Sequence, residues 1–174
     1  MTQQLIIHPS FKHLPKTLLD ARTAFDCGEP ELNHYLQHTA GQHDSKNIVR
    51  TFCGELNGAL FGYYSLNNAE VDVGALPAEI LKRYKLPKHR LPVVRLVRLA
   101  VDVRFQRQGL GEHLLIAALS HVPRVAELSG CVGMVVDAKP GKADFYRAYG
   151  FRQAPDNAGC LFMPLPEIQA LFAS

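Results

Sequence analysis

Apolar positions along the chain alternate between two periods. Residues 4–8 form a short apolar run that reads as a first strand. From Glu29-Pro30 onward, Leu32, Tyr35, Leu36 and Ala40 recur at three and four, which predicts a helix with Pro30 in its first turn. Residues 47–56 and 59–66 flank Asn57-Gly58, a strong hairpin dipeptide, and predict two antiparallel strands. A short helix is expected over 77–84. Residues 92–102 are rich in Val and Leu, with Arg95 and Arg98 the only charges before Asp102, and predict a strand covered on both faces. Because strand side chains alternate, Arg95 and Arg98 are expected on opposite faces unless a bulge intervenes.

From Gly109, the residues Leu110, Leu114, Leu115, Ala118, Leu119 and Val122 keep helical spacing, and Pro123 is expected to kink that helix or end its first segment. Residues 131–137 read as a second buried strand, and strand, helix, strand in that order requires a right-handed parallel crossover. Residues 143–149 predict a short helix stopped by Gly150. Two short strands around Phe151 and Leu161 and a terminal helix from Glu167 complete the pattern. The expected class is α/β with a mixed central sheet.

At 174 residues, with no repeat, low-complexity tract or Gly/Ser linker, the sequence is expected to form a single domain over 1–174. Hydrophobic residues at 47% and charged residues at 20% exclude a disordered or collagen-like chain. Cys27, Cys53, Cys131 and Cys160 lie far apart without C-x-x-C spacing, so zinc and dense disulfides are not expected, and four reduced thiols are. The first residues lack a signal-peptide pattern and no apolar run approaches the ~18 residues of a membrane span, which predicts a cytoplasmic protein that does not enter membranes. The net charge of +3 is unevenly spread. Lys82, Arg83, Lys85, Lys88, Arg90, Arg95 and Arg98 fall in one acid-free stretch, leaving twelve basic against sixteen acidic residues elsewhere.

The most informative segment is Gln106-Arg107-Gln108-Gly109-Leu110-Gly111-Glu112, between a predicted strand and a predicted helix. A helix N-terminus presents unpaired N–H groups and a partial positive charge, and glycines admit a close approach, which together suit a diphosphate. Glycines that merely shape a tight turn are the simpler alternative. The dinucleotide fingerprint does not fit, because Leu114 stands where a small residue is needed and no acidic residue follows at the right distance. The Walker loop does not fit either, since Gly141-Lys142 is followed by Ala143.

Leu99-Ala100-Val101-Asp102, then Gln106-x-x-Gly109-x-Gly111, then Ala143-x-Phe145-Tyr146-x-x-x-Gly150-Phe151 closely resemble the GNAT superfamily of acyl-CoA-dependent N-acyltransferases. The resemblance implies a GNAT fold whose parallel crossover binds acyl-CoA. It implies that Leu99, Ala100 and Val101 pair with the pantetheine arm and that Gln106, Arg107, Gln108, Gly109, Leu110, Gly111 and Glu112 hold the diphosphate. Phe145 and Tyr146 would lie beside the thioester, with acetyl-CoA as cosubstrate. Many relatives carry Asn three residues before the Ala of the last motif, where this chain has Pro140.

Thioester aminolysis needs a neutral amine and a protonated leaving thiol. A phenol at Tyr146, reference pKa ~10 against ~8.5 for a thiol, can supply the second proton at a mismatch of about 2 kcal/mol. A buried packing role is the alternative for Tyr146. No general base stands out: His113 and His121 are assigned no role, and an amine on an ester has a sizeable neutral fraction without one.

Phe25-Asp26-Cys27-Gly28, Thr51-Phe52, Gly62-Tyr63-Tyr64-Ser65-Leu66, Arg98-Leu99-Ala100-Val101-Asp102, Val136-Asp137-Ala138 and Leu161-Phe162-Met163-Pro164-Leu165 further resemble the GNAT-type toxins of bacterial toxin-antitoxin modules. That resemblance implies acetylation of the α-amine of an aminoacyl-tRNA, a ribbon-helix-helix antitoxin as partner, and a homodimer. Arg50, Lys82, Arg83, Arg95 and Arg98 are the expected contacts to tRNA phosphates. A GNAT enzyme acting on a small amine or protein N-terminus, and a non-catalytic acyl-CoA-binding module, are the alternatives.

Overall fold

The computed structural model describes residues 3–173. Seven strands hydrogen-bond in the order β1-β2-β3-β4-β5-β7-β6. They are β1 (Leu5–His8), β2 (Arg50–Leu56), β3 (Ala59–Val71), β4 (Leu91–Val101), β5 (Gly133–Asp137), β6 (Arg152–Ala154) and β7 (Asn157–Pro164). β4 and β5 are parallel, while β1-β2, β2-β3, β5-β7 and β6-β7 are antiparallel, so the sheet is mixed as the sequence pattern requires. The chain divides into two compact units, and β3 and β4 each contribute to both.

The first unit holds the residues up to Asn67 together with Val97–Ala118. The β2-β3 hairpin turns on Asn57 (φ 50°) and Gly58 (φ 88°), two successive left-handed residues of the kind that match the twist of the flanking strands. A further helix, α1 (Lys16–Ala21), buries Leu18 in this unit's core. A longer helical stretch opens as α2 (Pro30–His34), passes through one π-helical turn (Tyr35–Thr39) and continues as α3 (Ala40–Ser45). Its apolar stripe, Leu32, Tyr35, Leu36 and Ala40, is buried in the same core with Phe25, Tyr63 and Ala100.

The second unit holds Asn68–Leu96 and the residues from 119 onward. Its core packs Leu76 and Ile80, the latter on α4 (Ala78–Arg83), with Leu91 and Val93 of β4, Val135 of β5 and Phe162 of β7. The helix α5 (Leu110–Ser120), which begins in the first unit, stops before Pro123, and α6 (Val122–Ser129) starts with that proline in its first turn. After β5 come α7 (Ala143–Arg147), closed by Gly150 at φ 103°, and finally α8 (Leu165–Leu171), which begins two residues before Glu167 because Pro166 occupies its first turn. Among the described residues, no helix is long and apolar enough to cross a membrane.

Candidate functional site

The parallel ladder between β4 and β5 registers Val94 with Met134, Arg95 with Val135 and Leu96 with Val136. The register ends there, while β4 runs on from Val97 to Val101. Leu99, Ala100 and Val101 therefore belong to a strand end beyond the β4–β5 register, and there the Val101 carbonyl accepts from Gln106. On the side of β3 the packing is tight. A Cβ placed on Gly62 would stand 2.5 Å from the Ala100 carbonyl oxygen, so only glycine lets β3 lie this close to Ala100.

Asp102 ends the strand and organises the turn beyond it. It is 1% exposed, and its carboxylate accepts from the N–H groups of Asp26 (3.2 Å) and Arg104 (2.9 Å) and from the Arg104 guanidinium (2.9 and 3.3 Å). Burial pushes its pKa up, but the hydrogen bonds from Arg104 and Asp26 outweigh that and hold it below the usual carboxylate range. The helical turn Val103–Phe105 is capped by this carboxylate. Next, the Gln106 side-chain NH2 group donates to the carbonyls of Val101 (2.8 Å) and Cys27 (3.0 Å). In the structure the Gln106 side chain braces the backbone on which the turn is built.

Past Gln106, Arg107 adopts φ 63° and Gly109 φ 77°. A left-handed Arg is strained, and such residues gather where the backbone has a task. Nothing lies within 4 Å of the position a Cβ on Gly109 would take, so the space over the turn is open. Leu110 is the first residue of α5 and is buried. The N–H groups at the start of that eleven-residue helix have no partner within it. Gln108, Gly109 and Glu112 are exposed and Gly111 half-buried, which leaves the amides of the first turn accessible to an anion. The donor set and open space fit the diphosphate of coenzyme A.

In the second unit, α7 places Phe145 half-buried and Tyr146 at 7% exposure, so the neighbours occupy different environments. Their rings nevertheless meet edge to face at 5.1 Å, and Tyr146 makes a second such contact with Phe151 at 5.7 Å. These contacts fix the phenol ring's plane.

The basic residues divide into two groups. Arg50 pairs with the buried Asp44 (3.1 Å) and donates to Asn47, and Arg95 pairs with Asp137. Arg90, in the same basic stretch, pairs with Glu70 and Asp72. Lys82 and Arg83 are not buried, and the Arg98 guanidinium lies over the Tyr35 ring, 3.4 Å from its centroid. None of the four thiols is poised as a nucleophile. Burial raises the pKa of Cys27, Cys131 and Cys160, and raises that of Cys53 to about 12. Among the described residues there is no group of three or more His, Cys, Asp or Glu side chains that could hold a metal ion.

The roles of two residues of this site are not legible in the sequence. Asp102 stands in a recognisable motif, but its role as a buried hub depends on Asp26, 76 positions away. Tyr35 reads as one more apolar position on a helix face, and its contact with Arg98 is purely tertiary.

Residues 50–153 match the family model described as acetyltransferase (GNAT) domain. A relative from Mycobacterium tuberculosis, named tRNA-acetylating toxin, is 31% identical over 160 residues, covering 90% of this chain and 95% of its own. The structure resembles a solved mutant of KacT with a TM-score of 0.86 and 31% identity, over 97% of this chain and 99% of that one. It also resembles AtaT solved in complex with acetyl-methionyl-tRNAfMet, with a TM-score of 0.83 and 28% identity, over 99% and 100% of the two chains.

Proposed function

The chain belongs to the acetyltransferase (GNAT) family, and from that premise we propose that it transfers the acetyl group of acetyl-CoA to the α-amino group of an aminoacyl-tRNA. The observation that carries this reading is the likeness, along nearly the whole chain, to a protein solved with an acetylated aminoacyl-tRNA. A related complex, AtaTR, was solved with acetyl-CoA bound.

In the first unit, the amides from Gln108 to Glu112 would receive the diphosphate of acetyl-CoA, with Gln106 and Asp102 fixing the turn. The strand end from Leu99 to Val101 would pair with the pantetheine arm. In the second unit, Phe145 would pack against the cosubstrate and the phenol of Tyr146 would be the acid. The neutral α-amine attacks the thioester carbonyl, a C–N bond forms, the C–S bond breaks, and the departing thiolate takes the Tyr146 proton. The proton released by the amine returns the phenol to its starting state. Tyr-to-Phe mutants of KacT and AtaT are among the solved relatives, in keeping with a tyrosine of special interest in this family.

Acetylation of a charged tRNA withdraws its amine from peptide-bond formation, so the protein would act as a toxin on translation in the cytoplasm. Its neutralising partner would be a ribbon-helix-helix antitoxin; AtaT, similarly, was solved bound to the C-terminus of its antitoxin AtaR. On this reading the chain works as one acetyltransferase domain and pairs as a homodimer. A cell-free translation reaction tests it. The protein should halt synthesis only when acetyl-CoA is supplied, and fresh charged tRNA should restore it; inhibition that does not require acetyl-CoA would overturn the reading.

A further inference from the structure

Most arginines of this protein are neutralised by acids. Arg50, Arg90, Arg95, Arg104, Arg147 and Arg152 each pair with at least one carboxylate. Arg22, half-buried without an acid, donates to the carbonyls of Leu19 and Leu36. Arg98 differs from all of these. It is half-buried, yet among the described residues no carboxylate lies within ion-pair distance and no acceptor takes a hydrogen bond from it. Its guanidinium lies over the face of Tyr35.

That ring is itself held firmly. Tyr63 lies near-parallel to it, with centroids 6.4 Å apart and planes 22° apart, and the Tyr63 hydroxyl donates to the Leu32 carbonyl at 2.7 Å. The Tyr35 hydroxyl shares a hydrogen bond with His43 Nδ1 at 3.2 Å. Tyr35 also opens the π-helical turn Tyr35–Thr39, an irregularity that costs helix regularity and is frequent at functional sites.

A guanidinium stacked on a fixed ring keeps its plane and offers its N–H edge. A half-buried charge with no counterion is unfavourable until an anion arrives, and a planar fork of donors matches two oxygens of one phosphate. Arg98 also immediately precedes the Leu99 to Val101 strand end. We propose that Arg98, pressed onto Tyr35, is the subsite for a backbone phosphate at the aminoacylated end of the acceptor RNA, with Tyr35 as its positioning residue. This rests on the proposed aminoacyl-tRNA reading and sharpens it: of the five basic side chains expected to meet RNA, Arg50 and Arg95 already have acidic partners, whereas Arg98 awaits one.

The test is steady-state acetylation of a charged tRNA by the full-length protein across roughly 50 to 300 mM salt, an interval over which phosphate contacts weaken measurably. Arg98→Gln should raise KM for the tRNA about tenfold or more and flatten the salt dependence by roughly 0.7 to 0.9 in log–log slope, the share of about one phosphate. Arg98→Lys keeps the charge but not the fork, so it should keep the slope while raising KM about threefold. Tyr35→Leu should raise the tRNA KM with Arg98 still present, and Tyr35→Phe, which keeps the ring, should restore it. KM for acetyl-CoA should move less than about twofold throughout, a split that a loosened fold would not produce. If Arg98→Gln lowers the melting temperature, the contrast of Arg98→Lys with wild type decides. A tRNA KM within about twofold of wild type in both Arg98 variants, or a raised KM with an unchanged slope in Arg98→Gln, overturns the phosphate subsite. Wild-type protein that acetylates no charged tRNA overturns instead the reading on which the subsite rests.

Discussion

The side-chain amide of Gln106 reaches back 2.8 Å to the carbonyl of Val101, closing the turn between β4 and α5 upon itself. With its second bond, to the Cys27 carbonyl, one NH2 group ties the strand end, the 25–29 loop and the anion turn together. Gln106→Glu is close to isosteric but has no N–H to donate, and it adds negative charge beside a site meant for a diphosphate. Each lost hydrogen bond is worth about 1 kcal/mol, so KM for acetyl-CoA should rise about tenfold while kcat changes little. Initial rates at saturating acceptor measure this; an unchanged KM would leave Gln106 without a role in the turn.

Asp102→Asn should weaken the same junction from the other side. The native carboxylate has a folded pKa below its unfolded value of ~3.9, so its stabilisation is complete above that value and is lost as pH falls through the folded pKa. The amide introduced by Asp102→Asn would accept fewer of the bonds from Arg104 and Asp26, at a loss of about 2 kcal/mol near pH 7, or roughly 5 °C in melting temperature. The difference between the two proteins should shrink as pH falls below about 4. Thermal unfolding across that range checks both the size and the sign, and a gap that widened toward acid would refute this placement of the proton.

Gly62→Ala introduces a methyl group 2.5 Å from the Ala100 oxygen and 3.0 Å from Leu114 Cδ1. Backbone cannot yield as a flexible side chain would, so a loss of about 1 to 3 kcal/mol is expected, with β3 pushed from the strand end that carries Leu99 to Val101. Chemical denaturation gives the stability, and acetyl-CoA affinity should fall with it. A variant as stable as wild type would mean that β3 and β4 are not packed as described.

Tyr146→Phe keeps the ring contacts with Phe145 and Phe151 and removes the hydroxyl proposed as the acid. The acetyl-transfer kcat should fall by about 10² to 10⁴, the usual worth of general acid catalysis, with melting temperature and acetyl-CoA affinity preserved. Full activity in this variant would return Tyr146 to the role of a packed aromatic.

Much of the scaffold is legible in the sequence because local chemistry agrees with the fold. Asn57-Gly58 demands a hairpin, Pro123 splits α5 from α6, and the turn from Gln106 to Glu112 stands out through its glycines. The helix α1 is not legible, because six residues with one buried leucine show no period. β3 runs to Val71 rather than Leu66, since its last residues alternate exposed and covered positions with polar side chains among them. The π turn at Tyr35 leaves no signature in spacing. Charge is the least legible feature. Lys82 to Arg98 reads as one uniform basic run, and only the fold, by bringing Glu70, Asp72 and Asp137 to Arg90 and Arg95, decides which cations stay available.

The decisive measurement is mass spectrometry of the 3′ aminoacyl ends of a mixed charged-tRNA pool after incubation with the protein and acetyl-CoA. Aminoacyl ends heavier by one acetyl group, formed by wild type and lost in Tyr146→Phe, are expected. Unmodified ends in a reaction that acetylates polyamines or other small amines instead would contradict the assignment of aminoacyl-tRNA as substrate.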